Sequence, residues 1–192
     1  MLFKTTRTHK SIKPTRDGAD RAQKGVIVKI AVVYYSQGGN TKKVAETIAG
    51  SLAGDVLLAS ISDNPDLQGY NLVFVGMPIH RFGPPEPVKD FLKSRCVGLS
   101  VALFITHAAD ESMQEVKPWL EGCRQAADCA NIVGLFHCQG QVADTVKQSW
   151  IDSGIPMLVQ FGKLSAMADG QPDESRLARA RAFAQEMATA VQ

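Results

Sequence analysis

The sequence has no apolar run near the roughly 20 residues that a membrane-crossing helix needs, and its first residues lack the apolar stretch of a secretory signal. Its four cysteines, Cys96, Cys123, Cys129 and Cys138, form no CxxC pair and no Cys/His spacing suited to zinc. The expectation is a soluble, cytoplasmic protein with reduced thiols and no metal site. Two common phosphate-binding signatures are also missing. GxGxxG does not occur, and Thr41-Lys42 reverses the order that GxxxxGK[ST] requires. The net charge is only +2, but it is unevenly spread: residues 1–26 hold seven Lys or Arg against two acids, which leaves 14 bases and 17 acids in residues 27–192. The basic leader has almost no aromatic or apolar content with which to grip nucleic acid or a membrane. It reads as a disordered extension ahead of one domain spanning residues 27–192.

What is present is alternation. Short β-branched runs are predicted as strands at Val26–Tyr35, Val56–Ser60, Asn71–Gly76, Ser100–Thr106 and Ile132–Cys138, and runs such as VALFIT suit strands buried on both faces. Helical spacing joins Val44, Ile48 and Leu52, with Asn40 or Thr41 as the cap. It recurs over Pro85–Lys93, through Met113, Val116, Leu120, Cys123 and Ala127, where Pro118 marks a kink or a first turn, and from Asp173 through Leu177, Ala180, Phe183, Met187 and Val191. Residues 63–69 have room only for a loop or a single turn. Residues 139–172 read as partly helical around Thr145–Ile151 and Pro156–Met167. Five strands separated by helices predict a three-layer, doubly wound α/β domain with a parallel sheet in the order 2-1-3-4-5.

Ligands of such sheets bind beyond the carboxyl ends of the strands. After the first strand stands SQGGNT: Ser36, Gln37, Gly38, Gly39, Asn40 and Thr41. The glycines allow a tight turn that gathers backbone N–H groups at the positive end of the next helix, and Ser36, Asn40 and Thr41 add short donors. A phosphate loop built without lysine favours a monophosphate. Taken alone, the stretch is equally a helix cap and turn.

SQGGNT resembles the FMN phosphate loop of flavodoxins, [ST]xTGxT, with Ser36, Gly39 and Thr41 in matching places and Gly38 in place of the central threonine. YNLVFVGMPIHRFGPP is similar to the flavodoxin segment D-apolar-G-[ST]-P-apolar-[YW]; Gly76 and Pro78 match, Met77 stands where a small hydroxyl residue is common, and His80 where an aromatic is. FITHAADE stands where the second flavin-flanking loop belongs. FHCQGQ and QPDESRLARARAFAQEM resemble the C-x-G and HPxExDLxxAxxFA segments of a flavodoxin-like subgroup of bacterial proteins. The likeness runs from residue 28 to about 138 and takes in the last helix.

The resemblance implies an FMN-binding electron-transfer protein in which the flavin does the chemistry and no side chain is catalytic. It places the phosphate at residues 36–41. It also implies a ring held between Pro78, Ile79, His80, Arg81, Phe82 and Gly83 on one side and Thr106, His107 and Ala108 on the other. Partners would be redox proteins, with a small-molecule electron acceptor as a further option, and the protein a monomer or dimer. The mild acidity of residues 27–192, against the strong acidity of classical flavodoxins, implies a less negative low-potential couple. Alternatives on the same fold are an NAD(P)H-dependent quinone or flavin reductase and a binding module that has lost its cofactor. A phosphorylation receiver is excluded, since Ser36 and Met77 stand where it needs acids. His137 and Cys138 are neighbours along a strand, point to opposite faces and are read as structural. Trp119 is expected in the core, whereas Trp150 is a candidate cover for the flavin pocket or a partner surface. Lys42 and Lys43 are read as a solvated face.

Overall fold

The computed structural model describes residues 28–191, so the basic leader and its boundary lie outside the described residues. Five strands, β1 (Ile30–Tyr34), β2 (Val56–Ser60), β3 (Leu72–Pro78), β4 (Ser100–His107) and β5 (Asn131–Gln139), form one parallel sheet in the order β2-β1-β3-β4-β5. Six helices cover it or its ends: α1 (Asn40–Ser51), α2 (Glu86–Arg95), α3 (Val116–Ala126), α4 (Asp144–Asp152), α5 (Pro156–Leu164) and α6 (Glu174–Ala190).

Alternating side chains of each strand feed two cores. Ala31, Val33, Val73, Val75, Leu103 and Ile105 pack with Val88 and Leu92 of α2 and Cys123 of α3. Val32, Phe74, Ala102 and Phe104 pack with Val44 and Ile48 of α1 and Leu177, Ala180 and Ala184 of α6. The central strands are therefore wholly buried, and that is why their sequences are near-continuous apolar runs rather than alternating ones.

Several local expectations shift. The first strand begins at Ile30, and Val26 and Ile27 lie outside the described residues. The cap of α1 is Gly39 at φ 87°, with no side-chain cap, because Asn40 and Thr41 send their side chains to distant partners. Leu52 follows the last turn of α1 instead of continuing it. Pro118 sits in the first turn of α3, where its missing N–H costs nothing, and Met113 lies outside that helix and is exposed. Trp119 is half-buried and stands beyond the core, against Phe82 and His107. Residues 61–63 form a single 3-10 turn after β2. The segment between β5 and α6 folds as the α4–α5 hairpin followed by a 3-10 turn at Ser165–Ala168. This hairpin packs chiefly on itself, and Gly162 lets α5 approach the Lys147 and Ile151 turn of α4.

Candidate functional site

The loops at the carboxyl ends of β1, β3, β4 and β5 surround one open cavity of about 980 Å³. Parallel strands in register deliver these loops to one edge: Tyr34 pairs with Gly76, Pro78 with Thr106, and Thr106 with Cys138.

The first loop is held from two sides. Thr41, buried at the start of α1, has its Oγ1 2.8 Å from Thr106 Oγ1 on β4. Asn40 donates through Nδ2 to the carbonyl of Gln141 at 2.7 Å, and its side chain lies against Gly140, where a Cβ would fall about 3.0 Å from it. These partners lie 65 and 101 residues away in the chain. Ser36 is different. Its Oγ is buried and has no hydrogen-bond partner among the described residues, and the residue itself lines the cavity. The adjacent α1 points its N-terminus at the cavity, and the first N–H groups of a helix have no partner within it.

The second loop contains a tight turn. His80 and Gly83 exchange backbone hydrogen bonds of 2.8 and 3.0 Å, and Arg81 and Phe82 between them both have positive φ, 46° and 68°. That is the pattern of a type I′ turn, usually filled by Asn and Gly, so two side chains here carry strain. The turn sends Phe82 outward, 66% exposed, with its ring 5.5 Å from that of Trp119. His80 turns back to meet the Tyr35 ring edge-on at 6.2 Å, and Ile79 donates its N–H to the carbonyl of Thr106 at 2.8 Å. Burial, then the Arg81 charge, lowers the pKa of His80.

In the third loop His107 is 4% exposed. Its Nδ1 lies 3.1 Å from the carbonyl oxygen of Ala109 and its Nε2 3.0 Å from Nδ1 of His137. Burial first, and His137 next, push its pKa down to about 4, so the ring is neutral at pH 7. His137 neighbours Cys138 along its strand, but its partner lies across the ladder on β4, where Ile105 is its register neighbour.

The cavity takes in all the predicted site residues but two. Gly39 caps α1, and Phe82 points away toward Trp119. Thr41 and Asn40 line it with their side-chain hydrogen bonds already committed.

A family model described as a flavodoxin domain matches residues 31–185. The chain belongs to the flavodoxin family. It is 25% identical over 170 residues to the flavodoxin-like domain-containing protein BilS of Clostridioides difficile (strain CD3), covering 83% of this chain and 96% of that one. Among solved structures it is similar to a flavodoxin from the domain Archaea, with TM-score 0.54 and 18% identity over 85% of this chain and 99% of the other. It is equally similar to oxidised flavodoxin 2 from Bacillus cereus, with TM-score 0.54, 21% identity and the same coverage. At these identities the structural likeness carries the fold.

This flavodoxin domain adds cavity walls that strand-end reasoning passed over. Gly140–Ala143 follow β5 and close one side, Pro84–Pro87 lead into α2, and Val146 and Trp150 of α4 reach the cavity from the hairpin. The rule that selects strand ends applies equally to β5, and Gly140 belongs to the C-x-G segment that the sequence displays, so residues 140–143 were open to detection. Trp150 is the residue whose sequence context made it a candidate cover for the pocket, and it does line the cavity; Val146 carries no such signal.

Behind the third loop lies an ionic knot. Glu111 accepts from Arg176 Nε at 2.7 Å, from Arg179 Nη2 at 2.6 Å and from the backbone N–H of Gln139 at 3.2 Å. Burial alone would push the Glu111 carboxyl up, but these donors hold it below the usual range. The knot ties α6 to the ends of β4 and β5. Among the described residues, no helix is long and apolar enough to cross a membrane.

Proposed function

We propose that this flavodoxin domain binds FMN and carries electrons between redox partner proteins. The observation that carries the reading is Ser36: a buried hydroxyl without a partner, on a residue that lines, at the N-terminal pole of α1, a cavity large enough for a flavin nucleotide. A phosphate there would accept from Ser36 Oγ and from backbone N–H groups of Gln37, Gly38, Gly39, Asn40 and Thr41. Pro78–Arg81, Gly83 and Thr106–Ala108 would flank the ring. When bound, FMN supplies the electron chemistry, and the chain holds and orients it and sets the polarity around it.

The test is the visible spectrum of the protein titrated with FMN, set beside Ser36→Asp and Gly38→Asp. Gly38 is exposed with open space around it, so its variant folds irrespective of the ligand. A flavin spectrum in the parent that is lost in both variants supports the reading; a parent that takes up no FMN sinks it. A carrier also leaves NADPH unoxidised at steady state in the absence of a partner, whereas a reductase consumes it.

A further inference from the structure

The FMN reading makes no use of the contact between His107 and His137. The Ala109 carbonyl can only accept, so Nδ1 of His107 carries the proton. In the neutral ring Nε2 is then an acceptor, and the 3.0 Å contact makes Nδ1 of His137 the donor. Both tautomers are fixed, and one lone pair remains, on Nε2 of His137. A proton can enter there, and passage of the Nδ1 proton to Nε2 of His107 moves the charge one ring inward, to the cavity wall. A second proton cannot follow, because two imidazolium rings would oppose each other at 3.0 Å, donor against donor.

Charged groups face the pair from several elements. Glu111, on the loop after β4, favours charge on both rings, and Asp110 on the same loop interacts with His107. From α6, Arg176 opposes charge on His107 and Arg179 opposes it on His137. Trp119 of α3 meets the edge of His107. The carboxylates and guanidinia act in opposite directions, and burial outweighs each of them. Burial therefore sets the resting state, and it lowers the proton affinity of both rings.

We propose that His107 and His137 form a one-proton acceptor that answers negative charge in the cavity, so that reduction of FMN bound there draws one solvent proton onto the pair. The inference rests on the FMN reading. Electrons come from an external donor and stay on the ring. The added proton comes from solvent, forms an N–H bond on the pair, and leaves the protein with a compensating positive charge beside the reduced cofactor.

Two measurements test it. In FMN-free protein, imidazole ¹⁵N NMR from pH 8 to pH 4 should show one proton shared between the two rings, with Nδ1–H of His107 retained throughout. Independent titration of both rings overturns the pairing. In FMN-loaded protein, two-electron reduction at an electrode at pH 6, with proton uptake read by an indicator dye, should consume one proton more per FMN in the parent than in His137→Gln. That variant keeps a donor toward His107, and its flavin spectrum reports that the site is intact. Equal uptake with FMN bound in both overturns the proposal. Failure to bind FMN shows at once in the spectrum; it overturns the FMN reading and the redox linkage, while the NMR titration separately decides the pairing.

Discussion

Ser36 keeps a hydroxyl in a place where burial gives it no partner, and such a group costs the ligand-free protein about 1–3 kcal/mol. Ser36→Ala should therefore raise the melting temperature of FMN-free protein and weaken FMN binding by about tenfold or more, the worth of one hydrogen bond to a charged group. Opposite signs in the two measurements distinguish a binding residue from a packing one. His107 yields a second residue-scale expectation. Folding lowers its pKa from the ordinary imidazole value of 6.5 to about 4, so below pH 6.5 the unfolded chain binds a proton that the folded chain does not. Stability is then fully present above pH 6.5 and falls by about 3 kcal/mol as the pH drops to about 4. Urea denaturation at pH 7 and pH 4.5 should reveal that loss, and His107→Gln should remove most of it.

The strained element is the His80–Gly83 turn, in which Arg81 and Phe82 hold backbone angles that asparagine or glycine adopts more readily. Arg81→Asn is expected to stabilise the protein by about 1 kcal/mol in a denaturant titration, with the Phe82–Trp119 contact, read by tryptophan fluorescence, unchanged. At this scale the sequence was a good guide to the strands and to α2 and α6, because burial on both faces of β1, β3 and β4 writes itself as unbroken apolar runs. It misled at the start of α1. Asn40 and Thr41 are good local caps, but Gln141 and Thr106 claim their side chains, and no local rule can see partners so far along the chain. Trp119 misled for a related reason: its helix is amphipathic, but the residue sits past the end of the apolar layer, where the aromatic face meets a histidine instead of the core. The loop ends that form the cavity were legible as positions; the His107–His137 contact was not, since it depends on the register between β4 and β5.

For the molecule as a whole, charge around the cavity is the property that reaches furthest. Glu86 is the only acid among its described lining residues, and its carboxylate is paired with Lys89 at 2.9 Å. Arg81 is exposed on the same rim. A reduced, negatively charged cofactor would meet little carboxylate repulsion there, so a redox titration should give a less negative low-potential couple than an acid-ringed site would. Arg81→Glu should lower that potential by on the order of tens of millivolts at low salt, and by less as salt is raised.

The α4–α5 hairpin stands apart from this layered body. Neither core cluster includes a residue from it, and Lys147 tethers it through Asp169 just ahead of α6, yet Trp150 and Val146 reach the cavity. Such an arrangement is modular in the engineer's sense. The sheet and its flanking helices form a chassis, and the hairpin is a fitting bolted to its working end. Its outward residues are free to vary without repacking either core, so the company this protein keeps can be rewritten while the compartment for its cofactor stays the same.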